Sequence, residues 1–201
     1  MFYEPKDGHG LPHNPINACV VPRPIGWITT VSTEGHVNLA PFSFFNLLQY
    51  VPVRVMFSVN GPHKDGGIKD SPTNAEETGE FVYNMATYDM REQVNKSAAH
   101  VGRDVDEMEL VGLEKLPSRM VKPPRVAASP VHFECKTFKV IDLPSPKDPG
   151  KLVIGEVVGV HIADEYLKDG ILDIGPIKPL ARLGYKDYSP VTDIFSMPRP
   201  D

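Results

Sequence analysis

The sequence predicts a mainly β fold with short helices interposed, arranged as a small closed or split barrel with Greek-key connections. Three observations lead there. A series of segments shows two-residue alternation or runs of β-branched and aromatic residues. The segments do not alternate regularly with helices, and no GxGxxG element follows a strand and opens a helix, which argues against a doubly wound nucleotide-binding sheet. The helical patterns between them are short, each with its own start and stop residues.

Residues 1–21 hold Gly8, Gly10, Pro5, Pro12 and Pro15 and little periodicity. They read as an arm lying over the domain or over a partner subunit. His9 and His13 are four apart, but Gly10 and Pro12 oppose a helix there, so they read as loop histidines and not as metal ligands. A β-hairpin follows, Ile25–Ser32 returning through Val37–Asn46, with Gly35 in the loop where a positive φ is needed. Its second arm contains Pro41, which cannot donate to a central ladder, so regular pairing is expected to end near it. Beyond lie Ser43 and Asn46 among Phe42, Phe44 and Phe45. Backbone groups released from a ladder need partners. Beside flat aromatic surface they suit a planar heteroaromatic ligand, and they equally suit a bulged strand whose phenylalanines fill a core.

Val53–Asn60 reads as a strand with Val55, Phe57 and Val59 on one face and Ser58 and Asn60 on the other. A short helix is expected from Ser71 to Gly79. Ser71 suits the N-cap, Pro72 the first position and Gly79 the C-cap. With Lys69 just before it, this helix start offers free N–H groups, a hydroxyl and an ammonium, as a phosphate site or as an ordinary capped helix. Phe81–Ala86 is the next strand. Met90, Val94 and Ala98 recur every four residues and predict an amphipathic helix within 89–100. Asp104–Glu107 resembles a capping box opening a helix that ends near Gly112.

Residues 117–130 are extended and Pro-rich. Val131–Ile141 is a strand whose His132, Glu134 and Lys136 read as a solvated face. Lys151–Ala163 is the longest strand, with Gly155, Gly159 and His161 on one face. The two glycines leave room for a close approach, either by another strand or by a ligand. Residues 164–178 form a hairpin-like or helical excursion around Lys168-Asp169-Gly170. Arg182 precedes Tyr185 and Tyr188. It is suited to an anion or to a surface ion pair. The tail, 190–201, carries Ile194, Phe195 and Met197 and is expected to dock on a neighbour.

A chain of 201 residues fits one domain, here 1–201 with its arm and tail. The net charge of −5, without a basic cluster, excludes nucleic acid as an expected partner. Cys19 and Cys135 have no metal spacing and read as free thiols in a reducing compartment. No signal peptide or membrane-length apolar run is present, so the expected location is cytoplasmic. No nucleophile–base pair, paired-carboxylate site or metal cluster stands out, so any chemistry is expected to be carried by a cofactor.

Several motifs occur in order: PRPIGW at Pro22–Trp27, NLAPFSFFN at Asn38–Asn46, KDS…N…ETGEFV…N across Lys69–Asn84, and PLARLGYKDYS at Pro179–Ser189. Together with the opening MFYEPKDGHGLPHNP they resemble the flavin reductase-like family, whose members bind FMN in a split β-barrel. The resemblance implies an FMN-binding oxidoreductase that takes a hydride from NADH or NADPH, and it implies a homodimer with the FMN site near the subunit interface. Reductase components of two-component monooxygenases share the pattern, so a monooxygenase partner is a further expectation. The implied cofactor contacts are Thr30, Ser43, Phe44, Phe45, Asn46 and Asn60 around the ring, and Lys69, Asp70 and Ser71 at the phosphate. His161 and Arg182 stand at matching family positions. The family resemblance places Arg in many relatives where this chain has Thr73, so a second cation is expected to be missing. Two other readings stay open: a flavin-binding electron carrier or storage protein without its own nicotinamide reaction, and a relative of the pyridoxamine phosphate oxidases.

Overall fold

The computed structural model describes residues 1–200. Seven strands carry the fold: β1 (Gly26–Val31), β2 (Val37–Phe42), β3 (Phe45–Tyr50), β4 (Val53–Asn60), β5 (Glu80–Met85), β6 (Val131–Leu143) and β7 (Gly150–Ile162). They form one antiparallel sheet in the order β2-β1-β5-β6-β7-β4-β3. Strands β4 to β7 make a Greek key, in which β5, β6 and β7 are successive neighbours and β4 lies beside β7.

The two edge strands, β2 and β3, are consecutive in the chain and joined only by Ser43 and Phe44. In a flat sheet six interstrand gaps would hold them roughly 29 Å apart. The chain from Phe42 to Phe45 can span only about 11 Å. The sheet is therefore rolled upon itself into a split barrel. Aromatic side chains fill it. Phe42 stacks on Phe57 with ring centroids 5.2 Å apart, and Phe45 stacks on Tyr83 at 4.6 Å. Phe57 meets Phe81 edge-on at 5.2 Å. Gly26 makes room for the corner: a Cβ there would lie 2.5 Å from Phe45 Cδ2.

A second apolar cluster covers the outside of β1 and β2. It joins Trp27 and Leu39 to Met90, Val94 and Met108, the last three from the segment carrying α2 (Arg91–Lys96) and α3 (Glu107–Leu110). Trp27 Nε1 donates to Ser97 Oγ at 2.9 Å. Strand β1 is thus covered on both faces, which explains its unbroken buried run from Gly26 to Thr30. Helix α1 (Asp70–Thr78) lies in the long β4–β5 connection and packs Ala75 into the barrel core.

Pairing ends at Gly26–Phe42, one residue past Pro41 and so near the proline as expected, whereas other expectations are corrected. Strand β2 is an edge, where a proline removes no bond to an outer neighbour. The helix begins at Asp70 with Lys69 as N-cap, so Ser71 is not the cap. Gly79 does close it in the left-handed region, at φ 73°. The amphipathic helix stops at Lys96 and buries Ser97 instead of Ala98. Asp106, not Asp104, caps α3, accepting from the N–H groups of Met108 and Glu109.

The solvated face expected on 131–141 is also overturned. The Pro-rich segment covers this face of β6, with Arg119, Met120 and Val121 N–H bonded to Glu134 and Val126 O to His132, so His132 and Glu134 are buried and only Lys136 is exposed. At Gly155 the approaching group is a core ring, because a Cβ would meet Phe81 Cζ at 2.3 Å. Residues 164–178 combine both expected forms, a two-residue-strand hairpin at Leu167–Lys168 and Ile171–Leu172 followed by a short helix, Ile174–Ile177. The arm and tail are largely exposed, and Phe195 and Met197 find no cover within the described chain. Both cysteines are free, Cys19 exposed and Cys135 buried. No helix among the described residues is long and apolar enough to cross a membrane.

Candidate functional site

Three of the expected site residues meet at the start of α1. Lys69, Asp70 and Ser71 line a cleft of about 230 Å³ together with Asn38 and Phe42 of β2, His63, His100 and Glu107. Lys69 is half-buried and makes no ion pair among the described residues. Burial holds its ammonium below the ordinary lysine value. A partly desolvated cation without a carboxylate is poised for an anion. Ser71 is buried, and its Oγ accepts from Asn38 Nδ2 at 2.8 Å. Its own proton is then free to donate into the cleft.

Thr30 does not line the cleft. It is wholly buried beneath it, and its Oγ1 accepts from the amides of Asn38 (3.3 Å) and Asn74 (3.1 Å). Its role is to orient Asn38, which in turn orients Ser71. Asp70 is occupied by Arg103, which also forks onto Asp65 at 2.7 and 2.9 Å and reaches Ile68 O at 3.0 Å. Arg103 and Thr73 line one adjoining cleft. A second cation thus stands beside the helix start, brought by a different segment from the one expected. Glu107 is the buried acid of the cleft. Its Oε2 accepts from Leu39 N–H at 2.9 Å. Burial pushes its carboxyl up to about 7, with the negative charges of Asp70 and Asp106 acting the same way and the Leu39 N–H opposing them.

The corner residues form a second cleft. Ser43, Phe44 and Arg182 line it with Asn17, Arg23 and Tyr185. Arg23 is the knot of this region. It is nearly buried, donates to Asn17 O and Val20 O at 2.6 Å each and to Leu183 O at 2.8 Å, and reaches Ser43 Oγ at 3.3 Å. Burial lowers its pKa, and the neighbouring Arg182 lowers it further. Arg182 lies over the Tyr188 ring at 4.4 Å and donates to Tyr188 Oη and Tyr185 O. It makes no carboxylate pair among the described residues.

The remaining expected residues are dispersed. Phe45 is a core residue stacked on Tyr83, whereas Phe44 is exposed. Asn46 and Asn60 are exposed on β3 and β4. His161 lies eleven residues along β7 from Gly150, the partner of Asn60, or roughly 35 Å of strand. It is not in either cleft. Its Nε2 is 2.5 Å from Glu134 Oε1. Asn38, His63, Arg103, Glu107 and Arg23 were not singled out in the sequence. Arg23, within PRPIGW, and Asn38, within NLAPFSFFN, carry a motif that could have marked them, and Glu107 was read only as part of a capping box.

The Flavin reductase like domain model matches residues 18–183. The chain belongs to the flavin reductase-like family. An uncharacterised protein of Halalkalibacterium halodurans is 37% identical over 183 residues, covering 90% of this chain and 87% of that one. The crystal structure of nitrilotriacetate monooxygenase component B from Bacillus cereus superposes with a TM-score of 0.90 at 28% identity, covering 98% of both chains. The 2-nitrobenzoate 2-nitroreductase of Pseudomonas fluorescens gives a TM-score of 0.80 at 29% identity, covering 92% of this chain and 88% of that one. Both clefts draw their residues from the part of the chain that matches the flavin reductase-like model, Asn17 and Tyr185 excepted.

Proposed function

We propose that this protein is an FMN-binding flavoprotein that oxidises NADH or NADPH and delivers reduced flavin to a partner monooxygenase. The observation that carries this reading is Lys69, an unpaired and partly desolvated ammonium at the N-terminus of α1, beside a serine hydroxyl whose lone pair is already taken by Asn38. That donor set fits a phosphomonoester. Likeness to a monooxygenase component B supports the choice of partner.

Bound FMN would accept a hydride from the nicotinamide and pass its electrons on. Lys69 and Ser71 would hold the phosphate, with Asp70 kept from repelling it by Arg103. The chain leads from this cleft along β2 into the corner, so the ring would lie against Ser43, Phe44 and Asn46, with Asn60 at its edge. Arg23 and Arg182 beside the corner would favour negative charge developing there. We further propose a homodimer with the site near the subunit interface. Its support is the exposed apolar run on the free edge strand β3 and its turn: Leu47, Leu48, Tyr50 and Val51. His161 would reach a flavin only in such a shared site.

The test is an absorbance spectrum of the purified protein with FMN, recorded before and after NADH or NADPH is added under nitrogen. Flavin bands that bleach on addition support the reductase. Bands that persist favour an electron carrier. Failure to take up FMN overturns both.

A further inference from the structure

The acid in the phosphate cleft is unexpected in a site for an anion. Glu107 is 6% exposed and lines the same 230 Å³ cleft as Lys69 and Ser71. Its Oε2 is bound to Leu39 N–H, which anchors the carboxyl at the cleft wall. The groups around it come from four places: Lys69 and Asp70 from the start of α1, Asp106 from its own helix, His63 from the loop before α1, and His100 from the loop after α2. Asp70 is paired with Arg103, and Asp106 with Lys115 at 2.5 Å. Among the described residues Lys69 is therefore left without a carboxylate partner, in the cleft that Glu107 also lines. An ionised Glu107 would compete for that ammonium and repel the phosphate at close range in a poorly solvated cleft. A protonated one would do neither, and could donate to a phosphate oxygen.

We infer that Glu107 sets the affinity of this cleft: it admits a phosphomonoester with its carboxyl protonated, so binding retains or takes up one proton and the flavin is held exchangeably. This rests on the flavin reading above. The raised pKa of Glu107, near 7, puts the change within the physiological range.

The experiment is a titration of the protein with FMN and, separately, with riboflavin, from pH 6 to pH 8, in wild type and Glu107→Gln. For wild type, FMN affinity should fall about tenfold between those limits, as expected of a site that binds only with one group protonated. Riboflavin, lacking the phosphate, should show no such trend. Glu107→Gln keeps an acceptor for Leu39 N–H and should match wild type at pH 6 but bind FMN about tenfold more tightly than wild type at pH 8. The second ionisation of the FMN phosphate, near pH 6, is common to both proteins and cancels in their ratio. Calorimetry of the wild type in two buffers of different ionisation enthalpy gives an independent reading: proton uptake on FMN binding at pH 8 supports the inference. Equal pH slopes in the two proteins, or no proton uptake, overturns it while leaving the flavin reading intact. Absence of FMN binding at every pH overturns both.

Discussion

Glu134 and His161 meet diagonally across the β6–β7 pair, with Oε1 2.5 Å from Nε2, because Gly159 is the register partner of Glu134. The same carboxylate accepts from the N–H groups of Arg119 (2.9 Å), Met120 (2.5 Å) and Val121 (3.2 Å). One wholly buried acid thus pins the Pro-rich segment to the barrel and fixes a histidine. Burial alone would raise its pKa, but these donors outweigh that and hold it below the ordinary glutamate value. Its stabilisation is present above the unfolded pKa and is lost as pH falls through the folded one.

Glu134→Ala should therefore be among the most damaging substitutions in the chain. It strands the buried Val121 N–H and the partly buried N–H groups of Arg119 and Met120, at a cost of about 1–3 kcal/mol. Glu134→Gln, which retains an acceptor, should lose less than half as much. Urea denaturation of both variants at pH 7 checks this. Equal losses would mean that the carboxylate's hydrogen bonds contribute little.

Arg103→Ala should weaken FMN binding several-fold, because Asp70 would be left as an unneutralised charge beside the phosphate. Arg103→Lys should rescue only part of it, since an ammonium cannot reproduce the fork onto Asp65. Fluorescence titration at low and high salt reads this. The defect should shrink as salt screens Asp70.

Ala in place of Gly26 or Gly155 tests the roll of the sheet. At Gly26 the new Cβ would sit 2.5 Å from Phe45 Cδ2, and at Gly155 2.3 Å from Phe81 Cζ. Both rings are buried and cannot step aside freely, so each change should cost about 1–3 kcal/mol. Only Gly26→Ala should also impair flavin binding, because only it displaces the corner. A spectrum with FMN beside a melting curve separates the two.

Glu107 and His132 give opposite pH dependences. Glu107 is raised from 4.5 to about 7, so the folded chain keeps a proton that the unfolded chain has released, and stability falls as pH rises between those values. His132 is lowered by burial from 6.5 to about 4, so the unfolded chain takes the proton first, and stability falls as pH drops through that window. Glu107→Gln should gain on wild type by on the order of 1–3 kcal/mol between pH 5 and pH 8. A difference that stays constant with pH would rule out a raised pKa at this carboxyl.

Leu48→Glu should yield a monomer in light scattering and abolish FMN uptake while leaving the far-ultraviolet circular dichroism unchanged. A Leu48→Glu protein that remains dimeric would place the interface elsewhere.

Most of the fold was legible because its signals are local. Val53–Asn60 appears with the expected bounds and buried face, and Gly35 and Gly79 take the positive φ foreseen for them. The cleft at the start of α1 was legible at Lys69, Asp70 and Ser71, which are adjacent in sequence. What escaped depends on contacts between distant segments. Alternation along 131–141 separates two faces but cannot say that the Pro-rich segment covers one of them, so Glu134 looked solvated. Arg103 and Glu107 reach the cleft only because α2 and α3 pack against β1 and β2, and no spacing announces that. His161 matched a family position, yet β7 carries it away from the other expected residues.

The two-residue corner at Ser43–Phe44 has a consequence for how the site forms. It joins strands at opposite ends of the sheet order, so the corner takes shape only once every intervening strand is paired and the sheet has closed. The surface proposed for the flavin ring would then be a late product of folding and an early casualty of any opening between β2 and β3. Flavin bound there would act as a clasp, drawing stability from the entire circuit of strands and reporting, by its release, the first breach in it.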